Sequence, residues 1–107
     1  MITVENIRTC KKQPDKVYVR VDRCSPLGNP FIMKKESERN EVCDKFEKYF
    51  YNRIEDLEYS KDYDFKSMIN YLLILSKTKD IVLLCWCAPK RCHAETIKKW
   101  LEEKLNV

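Results

Sequence analysis

Residues 81–85, IVLLC, contain no polar side chain, so a strand running through them is apolar on both faces. Such a strand belongs inside a sheet that is covered on both sides. That is the setting of parallel strands joined by helices. The flanking patterns agree. Residues 17–22, VYVRVD, set Val17, Val19 and Val21 against Tyr18, Arg20 and Asp22, as a half-buried strand does, and ITVENIRTC at the start of the chain reads as a further strand pairing beside it. Ser37 is placed to cap a helix through about Arg53, with Val42, Phe46, Tyr49, Phe50 and Ile54 at helical spacing. The stretch EDLEYSKDYD breaks that period, and Asp64 is placed to cap a second helix carrying Phe65, Met68, Ile69, Leu72 and Leu75 inward. A third helix, from about Cys92 to Leu105, turns Ile97, Trp100, Leu101 and Leu105 to the core. The expectation is one α/β domain over residues 1–107, a small Rossmann-like layered fold with a mixed or mostly parallel sheet flanked by about three helices.

Composition limits the function classes. With 44% hydrophobic and 36% charged residues the chain has material for both a core and a soluble surface, so wholesale disorder is excluded. The net charge of +4 admits anionic ligands without demanding nucleic acid, and the lysines of the first helix alternate with glutamates as on a solvated face. No apolar stretch reaches the length of a membrane span, and MITVENIRTCKK lacks the apolar centre of an export signal. The expected location is the cytosol, the host cytosol if the chain is phage-encoded, with all six cysteines reduced and Cys10, Cys24 and Cys43 isolated.

In α/β sheets ligands gather beyond the carboxyl ends of the strands. Two unusual loops follow strands here. RCSPLGNPF (23–31) holds two of the four prolines and the only glycine, Gly28, which reads as a residue free to take positive φ in a shaped turn. Residues 86–93 carry Trp86, Cys87, Lys90, Arg91, Cys92 and His93 into the third helix. If the strands are parallel, both loops lie on one rim. The candidate ligand-binding residues are then Arg20, Arg23, Ser25, Gly28, Asn29, Trp86, Lys90 and Arg91, with Arg23 a better anion contact than Arg20 because it enters the turn itself. Trp86 is placed to stack on a base or to pack.

Three readings of the cysteine cluster stand side by side. Cys92 and His93 at a helix start suit nucleophilic catalysis, the free N–H groups and nearby cations favouring a thiolate. Cys85, Cys87, Cys92 and His93 are donors of the kind zinc or an iron–sulfur cluster takes, although Cys85 and Cys87 are closer together than usual and Cys92 and His93 are adjacent. In the third reading Cys85 is a small core residue, Cys87 fills the loop and His93 caps the helix.

The strand followed by Ser25–Phe31 (SPLGNPF) and the strand followed by Cys85, Cys87, Pro89, Cys92 and His93 (C-x-C-x-P-x-x-C-H) resemble the paired signatures of a family of small domains of unknown function, common in phages and bacteria. The resemblance covers nearly the whole chain and implies an α/β layered fold. The second signature also resembles the strand–loop–Cys–His–helix of another unassigned family with Rossmann-like layers. The resulting expectation is a domain that binds a small anionic, nucleotide-derived ligand between the two loops, as a hydrolase or transferase acting on it or as a phage protein that sequesters a nucleotide signal. No paired catalytic carboxylates stand out, so turnover stays open. The competing expectation is a Cys/His metal-containing structural or interaction protein docking to a host protein or to nucleic acid. A homodimer is compatible with either.

Overall fold

The computed structural model describes residues 1–106. It is an α/β structure with β1 (Ile2–Asn6), β2 (Lys16–Arg20), α1 (Arg39–Glu55), α2 (Tyr63–Ser76), β3 (Asp80–Cys85) and α3 (Ala94–Leu105), plus short 3-10 turns at Glu36–Glu38 and Leu57–Tyr59. The sheet order is β1-β3-β2, and both neighbours run parallel to β3.

The all-apolar strand therefore takes the centre. All of its residues from Ile81 to Cys85 are buried, with Ile81, Leu83 and Cys85 in the main core and Val82 and Leu84 on the opposite face. This corrects the expectation that β1 pairs with β2. The segment between them, 7–15, contains no helix to carry a crossover, and only β3 can use a place where neither face meets water.

Helical phase is as the apolar pattern demanded. Phe46 and Phe50 of α1, Phe65, Ile69 and Leu72 of α2, and Ile97, Trp100 and Leu101 of α3 are buried together, whereas Leu105 is left exposed at the end of its helix. Phe50 collects Phe46, Phe65 and Trp100 around it at ring-centroid distances of 5.7, 6.2 and 5.8 Å, which joins the three helices at one aromatic node.

The helix starts differ from expectation. Ser37 caps nothing. It lies inside the 3-10 turn, and the Glu38 carboxylate takes the free N–H groups of Lys34 and Lys35 at 2.8 and 3.0 Å. Asp62, not Asp64, caps α2 by accepting from the Phe65 N–H at 3.1 Å, and Arg53 bonds the other oxygen of the same carboxylate. α3 begins at Ala94, so Cys92 and His93 precede it. No helix among the described residues is long and apolar enough to cross a membrane.

Candidate functional site

Because β2 and β3 are parallel, the loops that follow them emerge at the same rim of the sheet. Several long-range bonds draw them together. The His93 imidazole bonds the Val21 carbonyl through Nε2, and the Trp86 indole N–H donates to the Asp22 carboxylate at 2.9 Å. From β1, the Asn6 side chain donates to the Trp86 and Ala88 carbonyls at 3.0 Å each, fixing the second loop against the sheet. A cleft of about 380 Å³ lies between the loops, in the size range of small-molecule sites.

Its floor includes Asp22, Cys85, Cys92 and His93. Its walls include Asn29, Phe31 and Met33 from the first loop, Trp86, Cys87 and Arg91 from the second, and Arg39, Val42 and Cys43 from the start of α1. Trp86 is half-exposed, and its held indole ring forms a cleft wall, which makes it neither core packing nor a loose side chain. A larger depression of about 510 Å³ lies by Thr3, Val4 and α3, but Lys90, Lys98, Lys99, Glu95 and Glu102 line it with charges of both signs and no aromatic side chain.

The rim divides the candidate residues. Arg23, Asn29, Trp86, Arg91, Cys92 and His93 meet at the cleft. Arg20 does not. It bonds Asp22 from outside and holds that carboxyl below its ordinary range, with a smaller contribution from Trp86. Lys90 faces the larger depression and pairs with Glu36 at 3.4 Å. Ser25 and Gly28 line a shallow hollow on the outer side of their loop. The Ser25 hydroxyl accepts from the Leu27 N–H at 3.1 Å, so it shapes the turn.

Gly28 does not take positive φ. Its need is space: a Cβ there would stand 2.7 Å from the Arg23 Cα and 2.8 Å from the Asp22 carbonyl oxygen. Asn29 commits its Oδ1 to the Phe31 N–H at 2.9 Å, leaving its amide nitrogen for a ligand.

The cysteines also rearrange. Cys43 is not isolated, since its thiol approaches the Arg91 carbonyl at 3.8 Å and it lines the cleft, as does Cys24. Cys87 lies against the Arg39 guanidinium, which raises the basicity of Arg39 together with the stronger contact to Glu36. Cys85 and Cys92 are in direct contact, Sγ to Sγ 3.0 Å, with Cys92 the donor. The contact pushes the Cys92 thiol up, and burial adds to it. Cys85 is pulled below an ordinary thiol because it accepts from Cys92 and from the backbone N–H groups of Ala88 and Cys87.

Of the two sulfurs, Cys85 is thus the one whose surroundings favour a negative charge, whereas the sequence pointed to Cys92 at the helix start. The free Cys92 N–H goes to the Glu95 carboxylate at 3.0 Å, and His93 makes no side-chain cap. Burial pushes the His93 pKa down and so favours the neutral ring. Cys85, Cys87, Cys92 and His93 do not converge as a metal site: among the described residues no three His, Cys, Asp or Glu side chains stand where they could hold one ion.

A family model described as a domain of unknown function, DUF4326, matches residues 4–103, which is almost the entire chain. The chain belongs to the DUF4326 family. The match covers β2 and β3, most of β1 and nearly all of α3, so both loops and the cleft between them lie inside the DUF4326 domain. No curated protein and no solved structure matches it significantly.

Sequence reasoning missed Asp22, Phe31, Met33, Arg39, Val42 and Cys43 as cleft residues. Asp22 had a usable signal, a carboxylate at the carboxyl end of a strand. Arg39, Val42 and Cys43 had none, because they sit in an ordinary amphipathic helix whose docking against residue 91 is a long-range event: Arg39 donates to the Arg91 carbonyl at 2.8 Å.

Proposed function

We propose that the cleft binds a small ligand that is flat and apolar at one end and anionic at the other, with a nucleotide or nucleotide-derived compound as the fitting class. The observation that carries this reading is that one cleft takes its walls from both strand-end loops and places Trp86, Phe31, Met33 and Val42 beside Arg23. Aromatic and aliphatic walls suit a base, and an exposed guanidinium at the rim suits a phosphate.

Among the cleft arginines, Arg23 is the principal anion contact. Among the described residues its one hydrogen bond is to the Phe31 carbonyl at 3.2 Å. Arg39 is already bidentate on Glu36 at 2.7 and 2.9 Å, and Arg91 is held by Asp44 at 2.8 Å and by Asn40. Asn29 supplies an amide donor, and Asp22 at the floor accepts a ribose hydroxyl or a base N–H.

The reading is one of binding, in a Rossmann-like manner at strand carboxyl ends, and sequestration of such a ligand requires nothing more. Neither Asp22 nor His93 is placed as a free general base. Asp22 is engaged by Arg20 and Trp86, and His93 by the Val21 carbonyl.

Thermal-shift titration with AMP, ADP, NAD and ribose 5-phosphate is the test. Stabilisation by a base-containing phosphate, weaker with ribose 5-phosphate and lost in Arg23→Ala and Trp86→Ala, is the expected result. A panel that leaves the melting temperature unmoved at millimolar concentration would end the proposal.

A further inference from the structure

We propose that Cys85 and Cys92 form a dithiol–disulfide centre at the floor of the cleft, closed by a hydroperoxide. The two sulfurs touch at 3.0 Å, one at the end of β3 and the other just before α3, and the segment between them carries Trp86, Cys87 and Arg91. Both side chains are almost fully buried in the protein, yet both line the cleft, so only a molecule that enters it reaches them.

The donors around Cys85 are arranged as for an anion. It accepts the Cys92 S–H and the backbone N–H groups of Cys87 and Ala88. Glu95, which holds the Cys92 N–H, opposes this charge only weakly. No other pair of cysteine sulfurs among the described residues makes such a contact. Cys43 is turned to the Arg91 carbonyl and Cys87 to Arg39.

The chemistry follows from this order of proton sharing. The Cys85 thiolate attacks one peroxide oxygen, an S–O bond forms, the O–O bond breaks, and the departing oxygen leaves as water, or as an alcohol from an organic peroxide, after taking a proton. Cys85 is then a sulfenic acid. The Cys92 sulfur attacks the Cys85 sulfur, the S–S bond forms, the S–O bond breaks, and hydroxide leaves as water with the Cys92 proton. Two thiols lose two electrons in all, and the peroxide gains them. Exchange with an external dithiol returns the pair to its reduced state.

This inference does not rest on the ligand reading, because its readout is the covalent state of the pair. The full chain is treated with hydrogen peroxide, unfolded, alkylated and mapped by mass spectrometry. Two of the six thiols are expected to become unalkylatable, with the loss of two hydrogens, a Cys85–Cys92 cross-linked peptide, and recovery on addition of dithiothreitol. The reaction should persist at pH 6, where an ordinary thiol holds only about 0.3% of its thiolate. In Cys92→Ser the reaction should stop at a Cys85 sulfenic acid that dimedone traps, and in Cys85→Ser no dimedone adduct should form at Cys92. If circular dichroism shows either variant unfolded, the map of the unmodified chain decides alone. Oxidation confined to Cys24 or Cys10, with Cys85 and Cys92 still alkylatable, would overturn the proposal, as would a cross-link between any other pair.

Discussion

Residues 23–31 close on themselves in their hydrogen bonds, whereas residues 86–93 are held from outside. In the first loop Ser25 and Asn29 each bond a backbone N–H two residues on, the Gly28 N–H returns to the Ser25 carbonyl, and Arg23 reaches Phe31. In the second, the ties come from Asn6, Asp22, Val21, Arg39 and Cys43, between 48 and 82 residues away in sequence. A self-braced turn keeps its shape wherever the chain puts it. An externally braced one has a shape only once the rest of the domain has folded, so its side chains report tertiary structure.

The two designs should break differently. The largest effect belongs to the externally held loop: His93→Ala removes a buried ring packed 5.0 Å from Phe46 and leaves the Val21 carbonyl without its partner. A loss of about 2–4 kcal/mol in urea unfolding is expected, combining a cavity with an unmade hydrogen bond. Next, Gly28→Ala forces a methyl group onto the backbone of residues 22 and 23, and about 1–3 kcal/mol should be lost, with the cleft distorted at Arg23. A wild-type stability from Gly28→Ala would show that the loop has slack its bonds do not suggest. Asn6→Ala deletes both carbonyl contacts to the second loop, for about 1–2 kcal/mol, and should raise amide exchange in residues 86–90 while leaving 22–31 protected. Ser25→Ala should cost least, about 0.5–1 kcal/mol, with exchange changes confined to its own turn. If the Ser25 change spread to residues 86–93, the contrast between the loops would fail.

Acid sharpens the same contrast. Burial depresses the His93 pKa in the folded state, so below the ordinary imidazole value of 6.5 the unfolded chain takes up the proton first. Stability is complete above that pH and is lost as the pH falls toward the lower folded-state value. The loss should be visible as a fall in unfolding free energy and should vanish in His93→Gln.

The α/β class, the central strand and the inward faces of the three helices were legible because each follows from a local period: IVLLC for burial on both faces, and Phe46/Phe50 or Ile97/Leu101 for one face of a helix. The strand partner of β1 was not legible, since period says which residues are buried but not beside whom. Helix starts shifted by a residue or two because Ser37 and Asp64 compete with Glu38 and Asp62, which make the same kind of bond. That Arg23, Asn29 and Trp86 come to one rim was legible from the two strand-end loops. The alternative pairing of Arg20 with Asp22, two residues on, was open from the sequence and is the one the structure shows, whereas the partner of Lys90 was invisible until Glu36 was placed in space.

By itself the sequence determined the layered α/β plan, the two strand-end loops and the sulfur-rich segment, all of which depend on residues within a few positions of one another. Only the tertiary structure decided that α1 closes the cleft, that Lys90 turns away from it to Glu36, and which sulfur has surroundings that favour a charge. The reason is physical. Burial, proton sharing and ion pairing depend on distances between atoms far apart in the chain, and a thiol beside a second thiol at 3.0 Å is a different group from either thiol alone.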